Sequence, residues 1–318
     1  MAQPTNTFDK YDAVGNREDL SDMIFDVSPE ETLVLSAIKK SKATNTLHEW
    51  QTDALATAAS NASIEGDDAT GDAITPTVRL NNQTQILSKE ITISGTQDRG
   101  MNPAGRKSEV AYQTARRLKE IKLDAEFALL DNGIALGNAK VAGNATTARE
   151  MASLSTYLTA NVSLGSGGAV SSGDGSDLLT AGTDRAFTEA LLTTVLESCY
   201  TNGGDPKMLV VSATNKGVTS GFTGGGTHFV DKDDKELVNA VDVYVGDFHT
   251  LQVTPCRYLV GDNVYAIDPE YLSCATLRPV FTKELGATGD NIKRQMIWET
   301  TLEVCAPNAH GMITDTNG

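Results

Sequence analysis

The chain has 318 residues, 40% of them hydrophobic and 21% charged, with 26 basic against 42 acidic side chains and a formal net charge of −16. That is chain enough for about two domains, or one elongated one, with a sizeable core; the acidic balance argues against a surface built to coat nucleic acid, because phosphate binding runs on clustered Lys and Arg. No apolar run reaches the length of a membrane span, the N-terminus lacks the layout of a signal peptide, and Cys199, Cys256, Cys274 and Cys305 form no C-x-x-C pair, so buried free thiols in a reducing cytoplasm are expected.

The first forty residues read as an arm. "NREDLSDMIF" can start a short helix with Asn16 as cap and Asp19 in the capping-box position. "SPEETLVLSAIKK" is a stronger signal, with Ser28 at N-cap, Pro29 at N1, Glu31 at N3, and Lys39 and Lys40 at the negative end of the macrodipole. A helix over 28–40 is expected.

The next stretch, "ATNTLHEWQTDAL", places His48 beside Glu49. A zinc-protease helix needs a second His four residues after the first, and Thr52 stands there instead. Thr44, Thr46, His48, Trp50 and Thr52 alternate with their neighbours, which predicts a strand. A second strand region runs through "PTVRLNNQTQILSKEITISG". Between the two lies the small, acidic, Gly-punctuated "ATAASNASIEGDDATGDAITP". Asn82, Gln83, Thr84 and Gln85 break both faces of the second strand. A lone polar hairpin is marginal in water, so residues 43–100 are expected to need a surface to lie on, such as another subunit.

"GRKSEVAYQTARRLKEIKLDAEFALLDNG" carries the longest helical pattern. Ala111, Ala115, Leu118, Ala125 and Leu129 recur at helical spacing, and Asn132-Gly133 supplies a stop. A helix over 108–132 follows, with Leu118 and Leu129 turned to a sheet. Its cations precede its acids, against the macrodipole preference. Either the face is solvated and laced by pairs such as Arg116–Glu120 and Lys122–Glu126, or it is patterned for contacts with neighbours.

"NVSLGSGGAVSSGDGSDLLTAGTD" has the composition of a flexible surface loop. "RAFTEALLTTVLESCYTNGG" is a second helix ending on Gly203-Gly204, "PKMLVVS" a short apolar strand, and "ATNKGVTSGF" a short helix. The loop that follows opens with Asp231-x-Asp233, but Lys235 and Glu236 occupy positions where a calcium loop needs Asp or Asn and then Gly. Five strand stretches then run from Val241 onward. The alternation of Met296, Trp298, Thr300, Leu302 and Val304 is the clearest of them. Neither standard glycine-rich phosphate loop occurs, nor a nucleophile motif. His48, His228, His249 and His310 are isolated and read as surface or satisfied core residues.

This order of arm, polar hairpin, long helix, second helix running into a strand, and strand-rich C-terminal part resembles the major capsid proteins of tailed bacteriophages. Their α+β fold is named after phage Hong Kong 97. "ATNTLHEWQTDAL", "SGTQDRG", "GNATTARE", "SCYTNGGDPKMLVV", "VDVYVGDFHTLQVTPCR" and "NAHGMI" carry the similarity over nearly the whole chain. The resemblance implies an N-arm over 1–42 and an E-loop over 43–100. It implies a peripheral domain over 101–204 with a spine helix over 108–132, an axial domain over 205–268, and return strands over 269–318. It implies a non-enzymatic, cofactor-free subunit that self-assembles as pentamers and hexamers into an icosahedral head. That head would enclose double-stranded DNA without sequence-specific binding. A separate scaffolding protein, a portal, and cement proteins where the shell carries them would be partners. The subunit would be made in the bacterial host cytoplasm and end in the virion capsid. His48, Trp50, Arg79, Lys89, Arg116, Arg117 and Lys119 are the candidate intersubunit contacts. In the name-giving phage an E-loop Lys and a peripheral Asn are covalently joined; Lys89 is the candidate here, but no local motif maps either partner. An encapsulin, a cellular shell of the same fold, is the runner-up. A metal-dependent hydrolase using His48, Glu49 and the Asp231–Asp234 cluster is the alternative from another class.

Overall fold

The computed structural model describes residues 31–66, 68, 71, 74–101, 107–133, 136–222, 243–259 and 263–317. The Asn16 and Ser28 caps, His228 and the Asp231–Asp234 cluster lie outside the described residues. Helix α1 occupies only Leu33–Ala37. Lys39 and Lys40, expected to close that helix, instead open strand β1 (Lys39–Lys42), which pairs in parallel with a long later strand. The sheet edge pairs the backbone groups on one side of this tetrapeptide, and that outweighs local helix propensity.

Strands β2 (Leu47–Thr52) and β3 (Val78–Gln83) form an antiparallel hairpin in which Trp50 faces Leu80. The chain passes through Thr84 into β4 (Gln85–Ser94) and, after a short π-turn, reaches α2 (Glu109–Leu130). Ser108 caps α2 by accepting from Ala111 N at 3.3 Å. Asn132 and Gly133 end it in the left-handed region, at φ 48° and 74°. The buried stripe is Val110, Ile121, Ala125, Ala128 and Leu129, with Leu118 half-buried. Ala111 and Ala115, assigned to that stripe from spacing, are exposed. The helix rests on β4 and β12, and those strands meet a side turned away from both alanines.

Strands β5 (Val162–Ser163) and β6 (Arg185–Ala186) flank a loop that is tightly bonded rather than flexible. Asp315 Oδ2 accepts from Gly165 N at 2.8 Å, Ser171 donates to Thr156 O, and Ala169 bridges Thr180. A Cβ on Gly182 would stand 2.4 Å from Gly165 O, so only glycine permits that closure. Helix α3 (Glu189–Thr201) follows, capped by Thr188, then β7 (Met208–Val211), α4 (Ala213–Ser220), β8 (Val243–Val245), β9 (Thr250–Pro255) and β10 (Val264–Ile267). Strands β11 (Leu272–Leu285) and β12 (Asn291–Val304) form a long hairpin, and β13 (Gly311–Ile313) and β14 (Thr316–Asn317) complete the chain.

Two main sheets organise these elements. One has four strands in the order β1-β11-β12-β4, and the other has six in the order β5-β13-β10-β7-β9-β8. The six-stranded sheet therefore recruits residues 162–163 and 311–313 from outside the contiguous 205–268 stretch. The larger core lies between α1, α2, the four-stranded sheet and the 151–158 segment. A second core lies between α3 and the six-stranded sheet, around Leu192, Leu196, Leu209, Leu251 and Ile313.

Candidate functional site

The hairpin β2–β3 is rooted in its own subunit. Trp50 is 8% exposed, donates from Nε1 to Val304 O at 2.8 Å, and stands 5.9 Å from the ring of Tyr157. Asn82 is wholly buried; its amide accepts from Ala152 N and donates to the carbonyls of Ala152 and Leu302. The polar residue that broke the strand's face in sequence is a fully used hydrogen-bonding hub. Residues 43–52 and 80–94 thus belong to the subunit's own core, which corrects the expectation of an arm along the whole of 43–100. What projects is 53–79, whose described residues are all exposed. Leu55, Ile64 and Ile74 are 99%, 79% and 95% exposed.

The two faces of the four-stranded sheet differ. Side chains alternate along a strand, and Trp298 pairs with Leu87 while Met296 pairs with Lys89. That face carries α2, because Lys89 reaches Asp124 of the helix at 2.7 Å. The opposite face carries Glu299 and Glu303. Glu299 is buried and takes Thr84 at 2.9 Å, Arg149 at 2.6 Å and Arg278 at 2.6 Å. Glu303 takes the hydroxyls of Ser273 at 2.6 Å and Ser41 at 2.7 Å, with His48 Nε2 at 3.4 Å. The imidazole of His48 and the two hydroxyls hold the Glu303 carboxyl down to about 2 against its desolvation. Through His48 and Thr84, the hairpin root is joined to the face away from α2.

Of the residues expected at intersubunit contacts, Trp50 and His48 are engaged within their own subunit because the hairpin root folds onto β12. Lys89 is half-buried against Asp124, and no peripheral Asn stands against it in the bonds it makes. Arg117 is half-buried and pairs with Glu120, in place of the expected Arg116. Arg79 is exposed and paired with Glu49 across the hairpin at 3.6 Å. Arg116 and Lys119 are exposed on α2. The expected Lys122–Glu126 pair gives way to a different use of the carboxylate. Glu126 is buried and accepts from Val34 N at 2.9 Å and Leu35 N at 2.7 Å, fastening the start of α1 to α2. Sequence reasoning missed Glu126, Glu299 and Glu303. Their signal was a carboxylate set in an apolar run, as in "AEFALL" and "IWETTLEV".

The chemistry of these clusters is structural. The hydroxyls at Glu303 donate to a carboxylate held down to about 2, which makes it a weak base for drawing a proton from either serine. Among the described residues no group of three or more His, Cys, Asp or Glu could hold a metal ion. Burial pushes the thiol of Cys199 up to about 12 and that of Cys256 up to about 11, so neither is a thiolate at neutral pH. What the surface does offer is area for other chains: the 53–79 projection, the outer half of the β11–β12 hairpin with Val280 and Phe281 exposed, and the outward face of α2.

Relatives with this architecture are shell proteins. The family described as SU10 major capsid protein matches residues 3–317. The major capsid protein of Escherichia phage Phieco32 is 27% identical over 352 aligned positions, covering 100% of this chain and 99% of the relative. The capsid of cyanophage A-1(L) superposes with a TM-score of 0.63 at 13% identity, over 95% of this chain and 97% of the other. The capsid of a native GTA particle gives 0.62 at 12% identity, over 97% and 98%. The fold is the Hong Kong 97-type capsid fold, and the chain belongs to the SU10 major capsid protein family.

Proposed function

We propose that this phage major capsid protein forms its shell as pentamers and hexamers, tied together by the 53–79 projection. Residues 1–42 act as the N-arm and 43–100 as the E-loop segment, of which 53–79 project while 43–52 and 80–94 fold onto the subunit's own core. Residues 101–204 and 269–318 supply the peripheral domain around the spine helix, and 205–268 supply the axial domain, whose sheet also takes in 162–163 and 311–313. The subunit does no covalent chemistry. Assembly takes place in the host cytoplasm with a separate scaffolding protein, a portal and, where present, cement proteins, and encloses double-stranded DNA. Shell stability on this reading comes from repeated symmetric interfaces rather than from a single site.

The observation that carries the intersubunit reading is the exposure of Leu55, Ile64 and Ile74 at the end of a hairpin whose root is well buried. A lone subunit gains nothing from holding these side chains in water. A neighbour that buries them contributes about 1.5–3 kcal/mol for each one fully covered. The test is to delete Ala56 to Ile74 and close the hairpin with Asn-Gly. The variant is expected to elute as a folded subunit on size-exclusion chromatography, with a melting temperature near that of the parent, and to form no shells in electron micrographs. Normal shells from the deletion variant would show that the projection is not an assembly element.

A further inference from the structure

We propose that the 53–79 projection of one copy docks on the outer half of the four-stranded sheet of the next, on the face turned away from α2. This rests on the shell reading above and names the surface that receives the arm. Residues paired across antiparallel strands share a face. Ile297 pairs with Ser88 of β4 on one side and with Phe281 of β11 on the other. Two residues from Glu299 along β12, Ile297 stands on the same side of the sheet as that carboxylate. Ile86 flanks Ser88 on this face, and Lys283 and Lys293 follow toward the hairpin end, opposite Gln295 and Leu285. Ile86 is 47% and Phe281 37% exposed, and Ile297 is half-buried. On the other face α2 keeps Leu87, Ile91 and Met296 buried.

Charge and apolar area together identify the occupant. Residues 53–78 contain five acidic and no basic residues, and Leu55, Ile64 and Ile74 stand exposed among them. The sheet face sets Ile86, Ile297 and Phe281 beside Lys283, Lys293 and Arg278, whose guanidinium lies 6.0 Å from the centre of the Phe281 ring. The carboxylates of this face are engaged, since Glu299 holds Arg149 and Arg278 and Glu90 takes Gln295 at 2.9 Å. Other exposed surfaces offer half of the match. Val245 and Phe248 flank Asp247, and Val170 and Leu178 are near Asp174 and Asp177. The exposed cations of β1 and α2 sit on elements without an exposed large apolar side chain of their own. Position agrees. Through Thr84 and His48 the hairpin root already covers this face of β12 at Glu299 and Glu303. The stretch from Asn291 to Ile297 continues the same surface, so a second arm prolongs a layer that the root begins. That stretch is about 20 Å long, and each side of the projection can extend about 40 Å, at roughly 3.3 Å per residue.

The test places a photo-crosslinking benzoylphenylalanine at Ile64 in a minority of subunits, co-assembled with the parent chain. Illumination of the shells is expected to give covalent dimers whose joined peptides carry residues 281–283 or 293–297 of the second copy. Crosslinks within one subunit, dimers joined elsewhere, adducts to another protein alone, or no adduct in well-formed shells would overturn the proposal. Normal shells from the deletion of Ala56 to Ile74 would instead defeat the reading on which it rests. A second experiment exchanges the charges. Lys283→Glu with Lys293→Glu is expected to leave the melting temperature of the subunit near that of the parent. It should lower shell yield about tenfold, because like charges then meet across the contact. Adding Glu65→Lys and Asp68→Lys to that variant is expected to restore shells. Normal shells from the first pair alone, or no recovery in the combined variant, would overturn the assignment.

Discussion

His310 is buried, its Nδ1 accepts from Asp268 N at 3.2 Å, and desolvation lowers its pKa from 6.5 to about 4. Its folded-state pKa lies below the unfolded one, so the stability it contributes is complete above about pH 6.5 and is lost as pH falls toward 4. Through this residue alone the free subunit should be about 2 kcal/mol less stable at pH 5 than at pH 7. His310→Asn keeps an acceptor near Nδ1 and removes the titration. Thermal melts across that window should be flatter for the variant, and an unchanged slope would show that other groups carry the acid sensitivity. Glu126 makes a different prediction, because its partners are backbone amides. Glu126→Ala leaves the N–H groups of Val34 and Leu35 without their acceptor and should cost about 1–3 kcal/mol for each that stays buried. Hydrogen exchange should localise the loss to those two amides; uniform loss of protection across α2 would mean that the spine helix itself depends on the contact. Neither role was legible in sequence, where His310 is one of four isolated histidines and Glu126 an ordinary helix carboxylate.

At the scale of elements, α2 shows how far periodicity reaches. Its extent and both ends were readable from Ser108, the 3.6-residue pattern and Asn132-Gly133, since caps act through neighbours in sequence. Its buried face was readable only in the C-terminal half. Leu129, 1% exposed, should lose about 2–5 kcal/mol on substitution by Ala. Leu118 is half-buried at the edge of the core, so Leu118→Ala should cost clearly less, and Ala111→Ser or Ala115→Ser should stay within about 0.5 kcal/mol. Urea denaturation of the four variants gives the order directly. A cost at Ala115 matching that at Leu129 would mean that the outward face is covered. The strand stretches of the C-terminal half were more legible than the hairpin, because β7, β10 and β12 announce themselves by apolar runs or alternation. β3 depends on Asn82, whose amide partners arrive from 70 and 220 residues away.

For the whole molecule, a well-anchored root and an unsupported tip within one hairpin predict uneven stability. Limited proteolysis of the free subunit should cut first between Leu55 and Pro76, with the stem strands and α2 surviving. In assembled shells the proposed cover by a neighbour should make the same bonds resist. First cuts within residues 80–94 would show that the stem is held by other subunits after all. The two cores also divide the chain without following its order, since β5 from mid-chain and β13 from its C-terminal stretch join the six-stranded sheet. That division cannot be read as contiguous segments from composition.

The sequence by itself determined the succession of elements from β7 to β12, the long and the second helix, the acidic character of the projecting loop, and the resemblance to capsid proteins. These depend on local period, caps and composition, which a linear reading contains. Tertiary structure decided where α1 yields to β1, that Trp50 and Asn82 serve the subunit's own core, and that Glu126, Glu299 and Glu303 are buried with partners. It also decided that Arg116, Lys119 and Lys122 of α2 are exposed while its Glu109 and Glu126 are buried. Each of these turns on which distant surface arrives at a residue, and a desolvated polar group is stable only when that surface brings its hydrogen bonds.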